Sequence, residues 1–426
     1  MDYKVVKYSE IGKIRSGKRL PKGHTVSEEI SDNKYIRVRD INNGSIDSSI
    51  VQYISDEAAE KLERYRVKTR DVIISVVGTV GAIAQIEESL NGAYLTENCD
   101  NLQVDESICL KDYLKYYLLS EDGSKEIIAN TVGSTQPKLP IYGIENFNIK
   151  LPSIDNQKRI VRLLNSIDDK IKINNQINNN LYELSQRIYN QWFVDFEYPI
   201  ALGETYRSNG GNFIEVDGMM IPDEFKVCKL DEICDCQNGH AFYKEGYDDS
   251  GLMVIDLGNV SLQGNFIYTN ADKYINKDRI PNEKFIVKKN DLVMIMTDRK
   301  ATMDLLGKTA KIYENKEFAL NQRIYRIRPT INVNYVYSFL NSNTTLDKLK
   351  GVALGSVQKY VNTNHINDLK IIVPSVEIMS EYSMVVDPIF KRMEENILEN
   401  RNLKIIRDTL LPKLMNGEID LDNIEI

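Results

Sequence analysis

The chain has 426 residues, 42% of them hydrophobic and 27% charged, a mix that excludes a largely disordered or fibrous protein and leaves material for roughly two to four folding units. Its longest nearly uncharged apolar run, residues 72–84, carries Gly78 and Gly81 and is too short for a bilayer, and Met1-Asp2-Tyr3-Lys4 lacks the apolar core of a signal peptide, so a soluble cytoplasmic protein is expected. Five cysteines (Cys99, Cys109, Cys228, Cys234, Cys236) without paired CxxC spacing exclude a disulfide framework and a zinc site, and a formal charge of −8 excludes a uniformly basic nucleic-acid binder.

Charge is unevenly placed. Residues 1–150 carry 20 Lys+Arg against 23 Asp+Glu, residues 201–374 carry 22 against 22, and residues 375–426 carry 6 against 11, so the acidity gathers toward the C-terminal end. In chain order the first feature is basic: seven Lys and Arg against one acid, Glu10, lie between Lys4 and Lys22, and Ser16 to Gly23 form a glycine-bounded loop around Lys18 and Arg19. Short β-rich runs follow at Tyr35 to Arg39, with Arg37 and Arg39, and at Val72 to Val77. Gly78-Thr79-Val80-Gly81 reads as a turn between strands, since no phosphate-loop or dinucleotide fingerprint surrounds it. Gly133-Ser134-Thr135-Gln136 is a second turn; its hydroxyl and amide groups suit base edges or phosphates, and suit equally a plain cap.

After Leu151-Pro152-Ser153, apolar side chains recur mostly every three or four residues through Ile160, Leu164, Ile167, Ile171, Ile177, Leu181, Leu184, Ile188 and Trp192. This spacing predicts a helix from Asp155 to Phe193, about 58 Å long, interrupted by polar positions from Asn174 to Asn180. The chain then repeats itself at a period near 222 residues. Ile144 to Ser153 matches Ile366 to Ser375 without a gap, Gly133-Ser134-Thr135-Gln136 aligns with Gly355-Ser356-Val357-Gln358, and Tyr8 to Ile11 aligns with Leu230 to Ile233. Shifted by two, Arg70 to Ile74 parallels Asn290 to Met294. The second copy carries strand-like runs at Lys308 to Tyr313 and Arg323 to Arg328, and basic clusters at Arg299 with Lys300 and at Arg323, Arg326 and Arg328, several of the last three expected to share a face. A second helical ladder runs from Tyr382 through Val386, Ile389, Met393, Ile397, Leu403 and Ile406 to Leu410, broken at Glu399 to Asn402.

Helices this long overrun a compact domain of ~150 residues, so the two are expected to pack on each other as an antiparallel coiled coil about a pseudo-twofold axis, with polar seam residues fixing register. No catalytic constellation emerges. His24, His240 and His365 lack metal-ligand spacing, no GxSxG elbow occurs, and Asp298-Arg299-Lys300 lacks the upstream acid of a nuclease cluster. The chain reads as one that recognises a polyanion rather than transforms a substrate.

The order of these features resembles the specificity subunit of type I restriction-modification systems over essentially the whole chain. The most specific markers are Leu151-Pro152-Ser153 with Gln157-Lys158-Arg159-Ile160, then Leu184 to Phe196 with its Gln191-Trp192-Phe193, then Leu410-Leu411-Pro412-Lys413-Leu414-Met415-Asn416-Gly417-Glu418-Ile419. The resemblance implies an α/β (α+β) fold: target recognition domains at 1–152 and 199–374, a central helical spacer at 153–198 and a C-terminal helical region at 375–426. It implies a non-catalytic DNA-binding subunit whose two domains each read one half of a bipartite gapped site. The helices would set the spacer and dock two modification subunits, which are S-adenosylmethionine-dependent adenine methyltransferases. A restriction subunit, a translocase and nuclease, would join them. On this reading no cofactor belongs to this chain; S-adenosylmethionine, ATP and Mg belong to its partners. Candidate DNA contacts are Lys18, Arg19, Arg37, Arg39, Ser134 and Gln136 in the first domain, and Arg299, Lys300, Arg323, Arg326, Ser356 and Gln358 in the second. Candidate docking residues are Ile160, Leu164, Ile167, Trp192, Phe193, Leu410 and Leu411. The second copy departs after Pro374-Ser375, where Ile378-Met379-Ser380 replace Gln-Lys-Arg, so the two docking surfaces are not expected to match in detail. A coiled-coil adaptor for protein partners would also account for the apolar stripes and the acidity, but not for basic loops repeated beside strands.

Overall fold

The computed structural model describes residues 3–42, 44–48, 50–243, 246–269, 271–300 and 302–419. These form two units, one from the described parts of Met1–Lys172 and Asn400–Ile426, the other from Ile173–Glu399. In the first unit, strand Lys4–Lys7 pairs antiparallel with Asn148–Leu151, which ties the start of the domain to the segment feeding the first long helix. A four-stranded antiparallel sheet runs in the order Gly12–Ser16, Cys99–Val104, Val72–Ser75, Ile83–Gln85. Successive side chains of a strand point to opposite faces, so Val72 and Ile74 enter a core with Tyr8, Tyr113 and Tyr117, while Ile73 enters another with Ile36 and Leu95. Helices Lys111–Leu119 and Glu121–Asn130 pack on the first of these cores, and the Ser120 hydroxyl caps the second helix by accepting from the Gly123 N–H at 3.3 Å. The predicted strand at Tyr35 to Arg39 stops at Ile36. The Asp40 carboxylate accepts from the Arg37 N–H at 2.8 Å and bends Val38–Asp40 into a 3-10 turn.

The second unit repeats this plan. Lys226–Lys229 pairs with Lys370–Val373, and the sheet order is Cys234–Asn238, Ile324–Pro329, Leu292–Ile295, Thr309–Lys311. Helices Val333–Leu340 and Asn343–Gly351 follow, with Ser342 capping the second of them. The pairing strands and these helices stand 222 residues after their counterparts (Lys226 after Lys4, Val333 after Lys111, Asn343 after Glu121), whereas Leu292 and Ile324 stand 220 and 225 after Val72 and Cys99. Length changes between the copies are therefore confined to the loops of the sheets. Two hairpins, Pro199–Ala201 with Glu204–Thr205 and Phe213–Val216 with Met219–Pro222, have no counterpart among the described residues of the first unit.

The long helices are Ile154–Phe193 and Val376–Met415, 40 residues each and about 60 Å long. Each begins at a Pro-Ser step: the Ser153 and Ser375 hydroxyls accept from the Asn156 and Ile378 N–H groups at 3.3 and 3.4 Å. Within the first unit the helical segments run antiparallel, Ile160 and Leu164 sharing a core with Leu411 and Leu414 while Arg407 meets Asp168 at 3.0 Å. Within the second unit they do the same. Trp192 and Phe193 meet Tyr382 with ring centres 5.7 and 4.9 Å apart, and farther along Asn396 Nδ2 donates to Asn178 Oδ1 at 2.8 Å. Asn178 also donates to the Met393 carbonyl at 3.3 Å. Slipping this seam would strand buried amides, which is how the asparagines fix register. All five cysteines are free thiols.

Lys311 is a charged residue in the second unit's core. Its ammonium donates to Asn334 Oδ1 at 2.7 Å and sits above the Phe390 ring, and burial, opposed by Glu394 and Asp387, pulls it down to about 8. The unfolded chain thus binds the extra proton above that pH, so this residue's penalty is fully present below about pH 8 and is relieved as pH rises toward 10.5. A Lys311→Met variant should be more stable than the parent at pH 7, and its advantage should shrink by about 1.5 kcal/mol between pH 8 and 9.5. Urea titrations of both proteins across that range check this; a constant difference would refute it.

Candidate nucleic-acid interface

In the first unit Ser16 faces Asp100 and Cys99 faces Ser75, so three loops emerge at one end of the sheet: residues 17–20, 76–81 and 96–98. The first is locked by its backbone. The Gly17 N–H donates to the Cys99 carbonyl at 2.9 Å, the Lys18 N–H to the Leu95 carbonyl at 2.8 Å, and a Cβ at Gly17 would lie 2.0 Å from the Thr96 carbonyl oxygen. Lys18 and Arg19 consequently face solvent, Arg19 being 80% exposed and steered by Glu97 at 2.6 Å. Beneath them burial raises the Asp100 carboxyl, against a hydrogen bond from Ser16. Arg19, Arg37 and Arg39 line one open cleft of about 390 Å³ with Tyr35, Thr96 and Asn98. Arg37 departs from its expected role. Only 17% exposed, it is held by Asp40 and Gln52 and braces the cleft wall, which leaves the outward Arg39 beside Arg19.

The turn at Gly133 is the tip of a hairpin in which Val132 faces Lys138, and Lys138 also pairs with Val77. Because Val77 lies just beyond strand Val72–Ser75, Ser134 and Gln136 belong to the same sheet end as Lys18 and Arg19.

The second unit builds the same end. Asn238 faces Tyr325 and Ile295 faces Ile324, so residues 239–242, 296–300 and 321–323 emerge together. The hairpin in which Leu354 faces Tyr360 joins them through Thr297 with Tyr360 and Asp298 with Lys359. Gly239 is the counterpart of Gly17: a Cβ there would lie 1.8 Å from the Asn321 carbonyl oxygen. Arg299, Lys300 and Arg323 are exposed, Arg323 on a left-handed turn with φ of 74°. Arg326 is a correction. It lies inside the strand at 2% exposure and binds Asp235 at 3.0 Å, while Arg328 clamps Asp291 through two hydrogen bonds of 2.6 and 2.8 Å, which raise its already high pKa. The three arginines do not share a solvent face, because Arg323 precedes the strand and the other two meet carboxylates. Asp298 accepts from the Lys300 and Leu305 N–H groups at 2.9 and 2.8 Å, so its carboxylate shapes the loop.

The candidate docking residues also need correction. Ile160, Leu164, Ile167, Trp192, Phe193 and Leu411 are all buried and Leu410 is half-buried; they form each unit's own core and cannot meet a partner. The outward apolar positions of the helices are instead Ile173, Leu184, Val376, Met384 and Val385 in the second unit and Ile405 and Ile406 in the first. Among the described residues no helix is long and apolar enough to cross a membrane, and no group of three His, Cys, Asp or Glu side chains could hold a metal.

Two copies of one α/β domain, each presenting cations and a polar hairpin at one sheet end, define a repeated polyanion-recognition protein. The chain belongs to the family of the type I restriction modification DNA specificity domain, which matches residues 1–183 and 222–400. It is 23% identical over 452 residues to the type I restriction enzyme HindI specificity subunit of Haemophilus influenzae, covering 92% of this chain and 97% of that one. It is likewise 23% identical over 316 residues to the MjaIX specificity subunit of Methanocaldococcus jannaschii, covering 74% and 70%. The S subunit of a type I restriction-modification system from M. genitalium shares the fold at a TM-score of 0.53 and 15% identity, covering 97% and 96%. The chain is therefore the non-catalytic DNA-specificity component of such a system, and the adaptor alternative loses its support.

Proposed function

We propose that each unit reads one half of a bipartite, gapped DNA site, that the long helices set the unread spacer, and that two modification subunits dock on them. The observation that carries this reading is the pair of sheet ends. Gly17 and Gly239 lock equivalent loops, yet Lys18-Arg19 in one unit stands against His240-Ala241 in the other, which is one backbone offering two readouts. S-adenosylmethionine, ATP and Mg would act in the partner subunits, and the target adenine would be flipped into a partner's pocket, since its reactive atom lies inside the stack. Cytoplasmic DNA is the substrate this assembly would survey. Mapping methylated adenines in DNA exposed to the chain plus its modification subunit should yield one gapped two-part motif; methylation without a sequence motif would sink the reading.

Docking on the outward helix faces makes a separate prediction. Met384→Glu and Ile405→Glu should weaken association with the modification subunit at least about tenfold while leaving the thermal transition of the chain unchanged. Unchanged association would place the docking surface elsewhere.

A further inference from the structure

We propose that the two Gly-Ser-x-Gln hairpins grip the sugar–phosphate backbone of DNA, one in each half-site, and take no part in reading bases; this rests on the two-half-site reading above. The hairpins are alike in backbone. Val132 faces Lys138 as Leu354 faces Tyr360, and Gly133 and Gly355 adopt φ of 89° and 91°, where a Cβ would lie 2.9 and 2.2 Å from the Gln136 and Gln358 carbonyl oxygens. They are also alike in two side chains, Ser134 with Ser356 and Gln136 with Gln358, and each returning strand carries a lysine at a successive position: Lys138 stands opposite Val132, whereas Lys359 precedes Tyr360, which stands opposite Leu354. Among the described residues none of these six side chains has a hydrogen bond or ion pair, and the turn tips face solvent.

The loops beside them behave differently. At the same 222-residue offset, Lys18-Arg19 becomes His240-Ala241, and the loops joining the sheet strands have gained or lost residues. A base reader must differ between two unlike half-sites, whereas a hairpin that keeps its glycine, serine and glutamine must meet something both half-sites share. Two unlike duplex sequences share their backbone. Hydroxyl, amide and ammonium donors suit phosphate oxygens, which fix register without carrying sequence information.

The test uses the complex of full chain and modification subunit, with Ser134→Ala/Gln136→Ala, Ser356→Ala/Gln358→Ala and Lys138→Gln/Lys359→Gln variants. Each of the first two should lose about tenfold in affinity, equally for a cognate and a scrambled duplex, with the methylated motif unchanged. The lysine pair should lower the salt slope by about 2. Gln136→Glu, isosteric and repelled by phosphate, should lose more than Gln136→Ala. A motif relaxed at one base position would overturn the proposal in favour of base reading. Lost co-elution with the modification subunit, at unchanged DNA affinity of the complex that does form, would overturn it in favour of a partner contact, and unchanged affinity with unchanged assembly would overturn it outright. Absence of any gapped motif from the parent complex would instead defeat the two-half-site reading.

Discussion

Raising salt from 50 to 200 mM should lower the affinity of the assembled complex for its site by about 10⁴-fold. Each unit gathers four cations at one sheet end: Lys18, Arg19, Arg39 and Lys138 in the first, Arg299, Lys300, Arg323 and Lys359 in the second. If each neutralises one phosphate, counterion release gives a slope near −7 in log affinity against log salt, and a fourfold rise in salt then costs about four decades. The net charge of −8 does not oppose this strongly, because its largest excess lies in residues 375–426 and exposed charges beyond about 7–14 Å are screened at these salt levels. Glu97 and Asp304 do compete locally, at 2.6 Å from Arg19 and 3.5 Å from Lys300. Arg323→Gln should therefore reduce the slope by about 1, whereas Arg326→Gln, at a buried site paired with Asp235, should destabilise the second unit and leave the slope alone. Anisotropy titrations at several salt concentrations read both numbers. A flat dependence would remove the electrostatic basis of the site.

The repeat and the long helices were legible because their signals are long. An apolar stripe sustained over ten turns, opened by Pro-Ser, has few competing readings. Shorter signals failed where tertiary partners decided the outcome. Tyr35 to Arg39 has the composition of a strand, yet the single carboxylate of Asp40 ends it. Arg326 and Arg328 alternate as a strand predicts, but alternation says only which side chains share a face, not that the face meets Asp235 and Asp291 rather than water. The docking residues failed for a related reason. The strongest stripe of a helix marks its core, and the apolar positions left outward, such as Met384 and Ile405, are ones no periodicity singles out. The extra hairpins beyond Tyr198 were hidden too: they are held by an aromatic stack, Tyr198 on Tyr206 at 4.8 Å and on Phe225 at 5.3 Å, whose spacing follows neither the helical nor the strand period.

Inserting four residues into both long helices, between Lys172 and Ile173 and between Glu399 and Asn400, should lengthen the unread spacer by about two base pairs and leave both half-sites unchanged. An insertion near Asn178 in the first helix alone would shift one side of the seam against the other and part Asn178 from Asn396, so the partner helix must be lengthened with it. At the chosen points the internal contacts of each unit survive. Four residues add about 6 Å of rise and a net rotation of roughly 40°, while two base pairs add about 6.8 Å and roughly 70°, so the displaced unit still meets the groove within a tolerable twist. Two residues add about 3 Å but roughly 200°, turning the reading face away, and should abolish recognition at every spacer length. The four-residue variant should bind the original site no better than random DNA, a loss of about 10³-fold or more, and recover on a site with the longer gap. A changed half-site with the original gap, or equal activity of the two insertions, would show that the helices do not measure the spacer.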